Sequence, residues 1–231
     1  MTRQAELAAN LAGVRDRIEA ACAIAGRDVK DVTLIAVTKT FPAADVRLLA
    51  GLGVTEVAEN RDQEAAPKAA ATADLPLTWH FVGQLQTNKV RSVAGYAAVV
   101  QSVDRSKLIS ALSSHAVRNG RTLRCLVQVA LDDREGRGGA PRDRVLALAG
   151  EIAAADGLEL GGVMAVAPLG ADPRPAFARL AELATQVRAA HPAATVISAG
   201  MSGDLEQAIA CGATHVRVGT ALLGGRSAIV R

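Results

Sequence analysis

The chain holds five lysines, Lys30, Lys39, Lys68, Lys89 and Lys107, and uses arginine almost everywhere else. Lys39 alone closes an apolar run, Leu34-Ile35-Ala36-Val37-Thr38. A lysine drawn out of water at the end of such a run has a lowered pKa and becomes a usable amine nucleophile. Imine-forming chemistry needs that neutral amine. A strand-end lysine in a salt bridge would look the same, and spacing does not separate the two. A second concentration of chemistry lies in Ser198-Ala199-Gly200-Met201-Ser202-Gly203-Asp204 and Arg217-Val218-Gly219-Thr220. Gly200, Gly203 and Gly219 would let backbone N–H groups approach an anion, and Ser202 and Thr220 supply hydroxyls. Ser202 also stands where the next helix should begin, and a helix start favours a phosphate. Ordinary turn and N-cap chemistry uses the same residue types.

In His215-Val216-Arg217-Val218-Gly219 the two valines share one face, so Arg217 points the other way. It serves either a ligand or a neighbouring carboxylate. Asn60 either orients a ligand or caps a helix starting at Arg61. His80, between Trp79 and Phe81, reads as a satisfied core histidine, and Met164 and Met201 read first as packing residues. The stretch from Arg134 to Gly139 reads as a mobile glycine-rich loop without the phosphate-loop pattern. No His, Cys or acidic cluster has metal-ligand spacing. Cys22, Cys125 and Cys211 lie far apart with no C-x-x-C, as expected of reduced thiols in a cytoplasmic protein.

The elements that must position these residues follow a clear rhythm. Residues 2–26 read as an amphipathic helix, with Leu7, Leu11, Val14, Ile18 and Cys22 on one stripe and Gly26 as its stop. Then apolar, Val- and Ile-rich runs alternate with Ala-rich helical stretches. The runs are 32–39, 56–60, 78–83, 97–103, 124–130, 160–167, 195–200 and 215–219. The helices between them are 43–52, 61–71, 87–93, 105–119, 142–155, 174–190 and 204–211. Near-continuous apolar strands alternating with helices predict a parallel sheet covered by helices. Eight such units in a chain of 231 residues predict a single (β/α)8 barrel over 1–231 with an extra N-terminal helix packed on it. An open doubly wound sheet is the alternative, weakened by the lack of G-x-G-x-x-G after the first strand. In a barrel the strand C-termini form the active face. Lys39, Asn60, Ser202, Arg217, Gly219 and Thr220 all fall there.

Composition narrows the function. The net charge is only +3, with arginines and acids interspersed, and the aromatics are just Trp79, Tyr96, Phe41, Phe81 and Phe177. Neither a basic face nor a stacking platform is present, which argues against nucleic acid. No uncharged run reaches the ~18 residues of a membrane span, and the charged N-terminus lacks the apolar block of a secretory signal.

Five stretches together are specific: LIAVTKT (34–40), AENRDQE (58–64), WHFVGQLQTNK (79–89), GGVMAVAP (161–168) and ISAGMSGDLEQAIACGATHVRVGTALLGGR (197–226). With these, the chain resembles the YggS/PROSC family of pyridoxal phosphate homeostasis proteins over nearly its whole length. The resemblance implies a barrel like the N-terminal domain of alanine racemase, holding pyridoxal 5′-phosphate (PLP). By motif, Lys39 matches the lysine that forms the internal aldimine. Ser202, Gly219 and Thr220 fall on the phosphate positions. Arg217 matches the arginine facing the pyridine nitrogen, where its charge disfavours ring protonation and weakens PLP as an electron sink. Asn60 and Met201 fall in the segments lining the ring. The sequence departs from the family pattern at Ala58, where Gly is usual, at Ala199, where Met is usual, and at Arg137, where Lys is usual.

The resemblance further implies a cytoplasmic monomer that holds PLP, passes it to PLP-accepting apoenzymes and so affects amino-acid metabolism indirectly. It does not imply a racemase. Alanine racemases need a second domain and a partner-chain tyrosine, whereas the barrel consumes this sequence and its one tyrosine, Tyr96, precedes the fourth strand. Two other readings stay open: a weak PLP-dependent racemase or PLP-free Schiff-base lyase, and a scaffold whose protein partner matters more than its ligand.

Overall fold

The computed structural model describes residues 2–132 and 138–225. Arg137, most of the Arg134–Gly139 loop and Arg226 lie outside the described residues. The chain opens with α1 (Arg3–Ala25), then β1 (Thr33–Val37), α2 (Ala43–Gly51), β2 (Glu56–Glu59), α3 (Asp62–Ala71) and β3 (Thr78–Phe81). It continues through α4 (Val90–Tyr96), β4 (Val99–Val103), α5 (Ser106–Arg118), β5 (Leu123–Gln128), α6 (Val145–Ala154), β6 (Leu158–Met164) and α7 (Arg174–Ala190). It ends with β7 (Val196–Ser198), α8 (Leu205–Ala210), β8 (His215–Val218) and α9 (Thr220–Leu223).

The strands form a closed barrel in chain order. Each neighbouring pair is parallel, and β8 closes onto β1 with Ile35 beside Arg217. The parallel (β/α)8 architecture is therefore present, and the open sheet is not. Two expected helices are less regular than the periodicity suggests. Residues 87–89 and 142–144 are 3-10 turns leading into α4 and α6. The short α9 carries too few residues to show a helical period, and the sequence reading missed it.

Most of the core lies between the barrel and its helices, where Val, Leu and Ala from strands and helices interlock. Each fully buried Leu or Val there contributes about 1.5–3 kcal/mol. The predicted stripe of α1 is buried as expected. It packs with Val46, Leu49, Leu205, Ile209, Leu222 and Leu223, on α2, α8 and α9. Thr2 caps the helix by accepting from the Ala5 N–H at 3.2 Å, and Gly26 ends it in the left-handed region at φ 66°. Polar ties then fix α1 in place. Asn10 donates to Leu222 O at 3.0 Å, and Arg17 donates to Glu206 at 2.7 Å and to Ser202 O at 2.9 Å. The N-terminal helix thus braces the loops that follow β7 and β8. No described helix is long and apolar enough to cross a membrane.

Candidate functional site

The strand C-termini surround a cavity of about 650 Å³, and Lys39, Asn60, Met201, Ser202, Arg217, Gly219 and Thr220 all line it. Residues spread over 180 positions of sequence meet because every β-to-α loop emerges on the same face.

Lys39 lies two residues beyond β1 and is exposed. The sequence pattern suggested a buried amine, and the structure corrects this: the strand ends at Val37, so the side chain stands at the mouth rather than in the wall. Among the described residues it has no ion pair or side-chain hydrogen bond. Its backbone, in contrast, is gripped on both sides. Thr38 N–H donates to Ala58 O at 3.0 Å, and the Thr38 hydroxyl donates to Glu59 Oε1 at 2.8 Å. Lys68 Nζ donates to Thr38 O at 2.9 Å and to Glu59 Oε1 at 2.6 Å. Thr40 N–H donates to Glu64 Oε2 at 2.8 Å, although Thr40 sits at φ 69°. A β-branched residue in the left-handed region is strained, so Glu64 and Lys68 together hold a turn the chain would otherwise avoid. Burial pushes the Glu59 carboxyl up, and the bonds from Lys68 and Thr38 pull the other way. Lys68, not Lys39, is the lysine that a salt bridge consumes.

Asn60 follows β2. The alternative that it caps the next helix is not met: α3 starts at Asp62, and the residue before it is Arg61, whose side chain makes no cap bond. Asn60 is instead pinned by Gly83, where an added Cβ would lie 2.0 Å from Asn60 O. Gly219 plays a milder version of that role, with an added Cβ 3.3 Å from Val37 O. The ends of β8 and β1 therefore close together tightly, with little room for a larger residue at this position.

Ser202 also differs from expectation. Helix α8 starts at Leu205, three residues later, so Ser202 lies in the preceding turn. Its hydroxyl accepts from the Ala221 N–H at 3.2 Å, joining the loop after β7 to the first residues of α9. Ser202, Gly219 and Thr220 thereby form one ledge from two loops. Asp204, to which the sequence reading gave no role, organises this ledge by accepting from the Met201 N–H at 2.6 Å. The Pro168–Pro173 loop also lines the cavity. It was missed because it carries no titratable group but Asp172.

Arg217 is buried. Its Nη1 donates to Ser198 Oγ at 2.7 Å and its Nη2 to Ala165 O at 2.8 Å. Both partners are neutral, so no carboxylate pair is formed among the described residues. Burial lowers the guanidinium pKa to about 10, and the field of Asp204 opposes this. It remains a cation at neutral pH, with its charge uncompensated by contact.

These observations can be set beside known proteins. The model of the alanine racemase N-terminal domain matches residues 5–227. The pyridoxal phosphate homeostasis protein of Mycobacterium tuberculosis is 44% identical, covering 97% of this chain and 94% of the relative. The one from Escherichia coli K12 is 35% identical, with 96% and 97% covered. The chain belongs to the pyridoxal phosphate homeostasis protein family. Among solved structures, PipY of Synechococcus elongatus with PLP bound superposes with TM-score 0.83 at 34% identity, covering 94% of this chain and all of PipY. Alanine racemase from Streptomyces coelicolor shares the fold at TM-score 0.78 and 19% identity, and this chain spans 59% of it. The family thus takes the barrel of the racemases at nearly the full length of its own members.

Proposed function

We propose that this protein binds PLP at the C-terminal mouth and maintains the intracellular supply of the cofactor, releasing it to PLP-accepting apoenzymes in the cytoplasm. One observation carries the reading. A lysine amine with no partner among the described residues, a buried arginine and a two-loop ledge of hydroxyls and backbone converge on one cavity, in a family whose member PipY was solved with PLP bound. When bound, PLP supplies an aldehyde, a phosphate and a pyridine nitrogen. Lys39 Nζ is the amine for the aldehyde. Ser202, Gly219 and Thr220 hold the phosphate, and Arg217 faces the ring nitrogen. Asn60 and Met201 line the ring. The residues fit the group in chemistry, and the cavity of about 650 Å³ has room for it.

A carrier is favoured over a racemase by the placement of Tyr96. It packs edge-on against Trp79 at 6.5 Å, away from the cavity, and burial pushes its hydroxyl far above the ordinary phenol range. A phenol so placed is not a second base for the mouth. We take one barrel, acting as a monomer, to carry the whole function. The test is an absorption titration with PLP of wild type and Lys39→Ala. A visible band that requires Lys39, with unchanged thermal stability, supports the reading. Absence of any band in wild type at excess PLP overturns it.

A further inference from the structure

A file of polar side chains runs from Arg217 through the barrel interior to the opposite mouth. Arg217 Nη1 donates to Ser198 Oγ, and Ser198 Oγ donates to Gln101 Oε1, each at 2.7 Å. Gln101 Nε2 lies 2.8 Å from His80 Nδ1, and His80 Nε2 lies 2.5 Å from Glu56 Oε2. Ser198 is on β7 and Gln101 on β4, which are not neighbours, so their bond crosses the barrel. Ser198, Gln101 and His80 are buried. Glu56 faces a cavity of about 190 Å³ at the N-terminal mouth. Barrel interiors are normally filled by branched apolar residues. A buried polar file in that place is costly unless every member is satisfied.

Every member is satisfied in only one sense of direction. A guanidinium can only donate, and an ionised carboxylate can only accept. Glu56 is ionised at neutral pH: burial pushes its carboxyl up, but the hydrogen bonds from His80 and Thr78 outweigh that and hold it below the ordinary carboxylate range. Ser198, receiving from Arg217, must pass its own proton to Gln101 Oε1. The Gln101 amide then turns its NH2 to His80, so Nδ1 accepts and Nε2 carries the proton toward Glu56. The network thereby assigns His80 as the neutral Nε2–H tautomer. If both His80 nitrogens donated, Gln101 would have to turn over, and the Ser198 hydroxyl would lose its acceptor. Thr78, His215 and Arg124 also face this end, and Arg217 lies at the other.

We propose that Ser198, Gln101, His80 and Glu56 are positioning residues for Arg217, holding its guanidinium oriented toward the ligand ring so that Glu56 at one mouth tunes the ligand's electronic state at the other. This rests on the reading that Arg217 faces the PLP ring nitrogen. The file acts because a donor fixed in direction cannot rotate without breaking every bond below it.

A double-mutant cycle tests the coupling. The variants are Glu56→Gln, Gln101→Met and the double, with Glu159→Gln as a control; Glu159 pairs with Arg124 and has no bond to the file. Each is loaded with PLP, and three properties are read: the pH midpoint of the visible band, its maximum and the PLP dissociation constant. Glu56→Gln in the wild-type background should shift the midpoint by roughly 0.5–1 unit, and Gln101→Met by at least as much. In the Gln101→Met background the Glu56 substitution should add nothing. Glu159→Gln should match wild type. If Gln101→Met fails to fold, Glu56→Gln alone decides, since Glu56 is partly exposed and tolerates the change. A normal band in wild type that all four variants share would overturn the proposal while leaving the PLP site intact. Additive shifts in the double variant would overturn it too, because they would mean that Glu56 acts without Gln101. No band in wild type would instead be a failure of the binding reading.

Discussion

At the C-terminal mouth Lys39, Ser202 and Thr220 face an open cavity of about 650 Å³ built from turns and close backbone contacts, whereas at the N-terminal mouth Glu56 and His80 close on each other beside His215 around about 190 Å³. Glu56 and His80 are bonded side chain to side chain, with Thr214 Oγ1 2.9 Å from His215 Nδ1. At the C-terminal mouth the bonding goes into the backbone beneath the functional groups. Lys68 and Glu64 hold the turn on either side of Lys39 and leave its amine without a partner among the described residues. The same barrel thus separates two uses of polar groups. One end satisfies them internally, and the other keeps their valence for a ligand.

The sharpest way to break this contrast is Lys68→Met. It leaves the buried Glu59 carboxylate without its cation, a change that costs about 3–5 kcal/mol in comparable sites. Glu59, already pushed up by burial, will take a proton and hold the loss near the lower end. Urea denaturation should show the loss, and PLP titration should show a weakened band because the Lys39 turn is released. A stability loss with unchanged PLP binding would mean that the clasp does not position Lys39.

The opposite mouth predicts a pure stability effect. Burial lowers the His215 pKa to about 4 from an ordinary 6.5, with the charges of Arg124 and Arg217 adding to it and that of Glu56 opposing. The unfolded chain therefore binds a proton that the folded chain refuses between these values. Stability is fully present above pH 6.5 and falls toward pH 4, by about 3 kcal/mol from this group. His215→Gln should flatten that part of the pH profile measured by thermal melts, with the PLP band intact.

Smaller effects sharpen the contrast. Ser202→Ala removes the bond from Ala221 N–H and the proposed phosphate hydroxyl, and should weaken PLP binding roughly 5–15-fold (about 1–1.5 kcal/mol) in a fluorescence titration. Arg17→Ala cuts the tie from α1 to Glu206 and Ser202 O. The pair is partly exposed, so the melt should move by no more than about 1 kcal/mol.

The strands were legible because most are near-continuous apolar runs; β2, β3 and β8 begin at the residues where the runs at Glu56, Thr78 and His215 begin. Arg217 was legible because β alternation sets its direction. The failures share a cause. Lys39 was expected to be buried, but whether a residue past a strand end faces wall or mouth depends on where neighbouring loops stop. Ser202 was placed at a helix start, but the turn before α8 runs to Asp204, a length that no periodicity records. The polar file from Arg217 to Glu56 was invisible because its members come from five strands and meet only after closure. His80 was correctly read as a satisfied core histidine, yet its partners Gln101 and Glu56 carry no motif.

The account's central claim is that the amine kept free at the C-terminal mouth is the one that takes PLP. Borohydride reduction of the PLP-loaded protein, followed by peptide mass mapping across all five lysines, tests it most directly. The account predicts a single pyridoxyl adduct on Lys39 and none on the clasped Lys68. An adduct on Lys68, Lys89 or another lysine with Lys39 unmodified would contradict it.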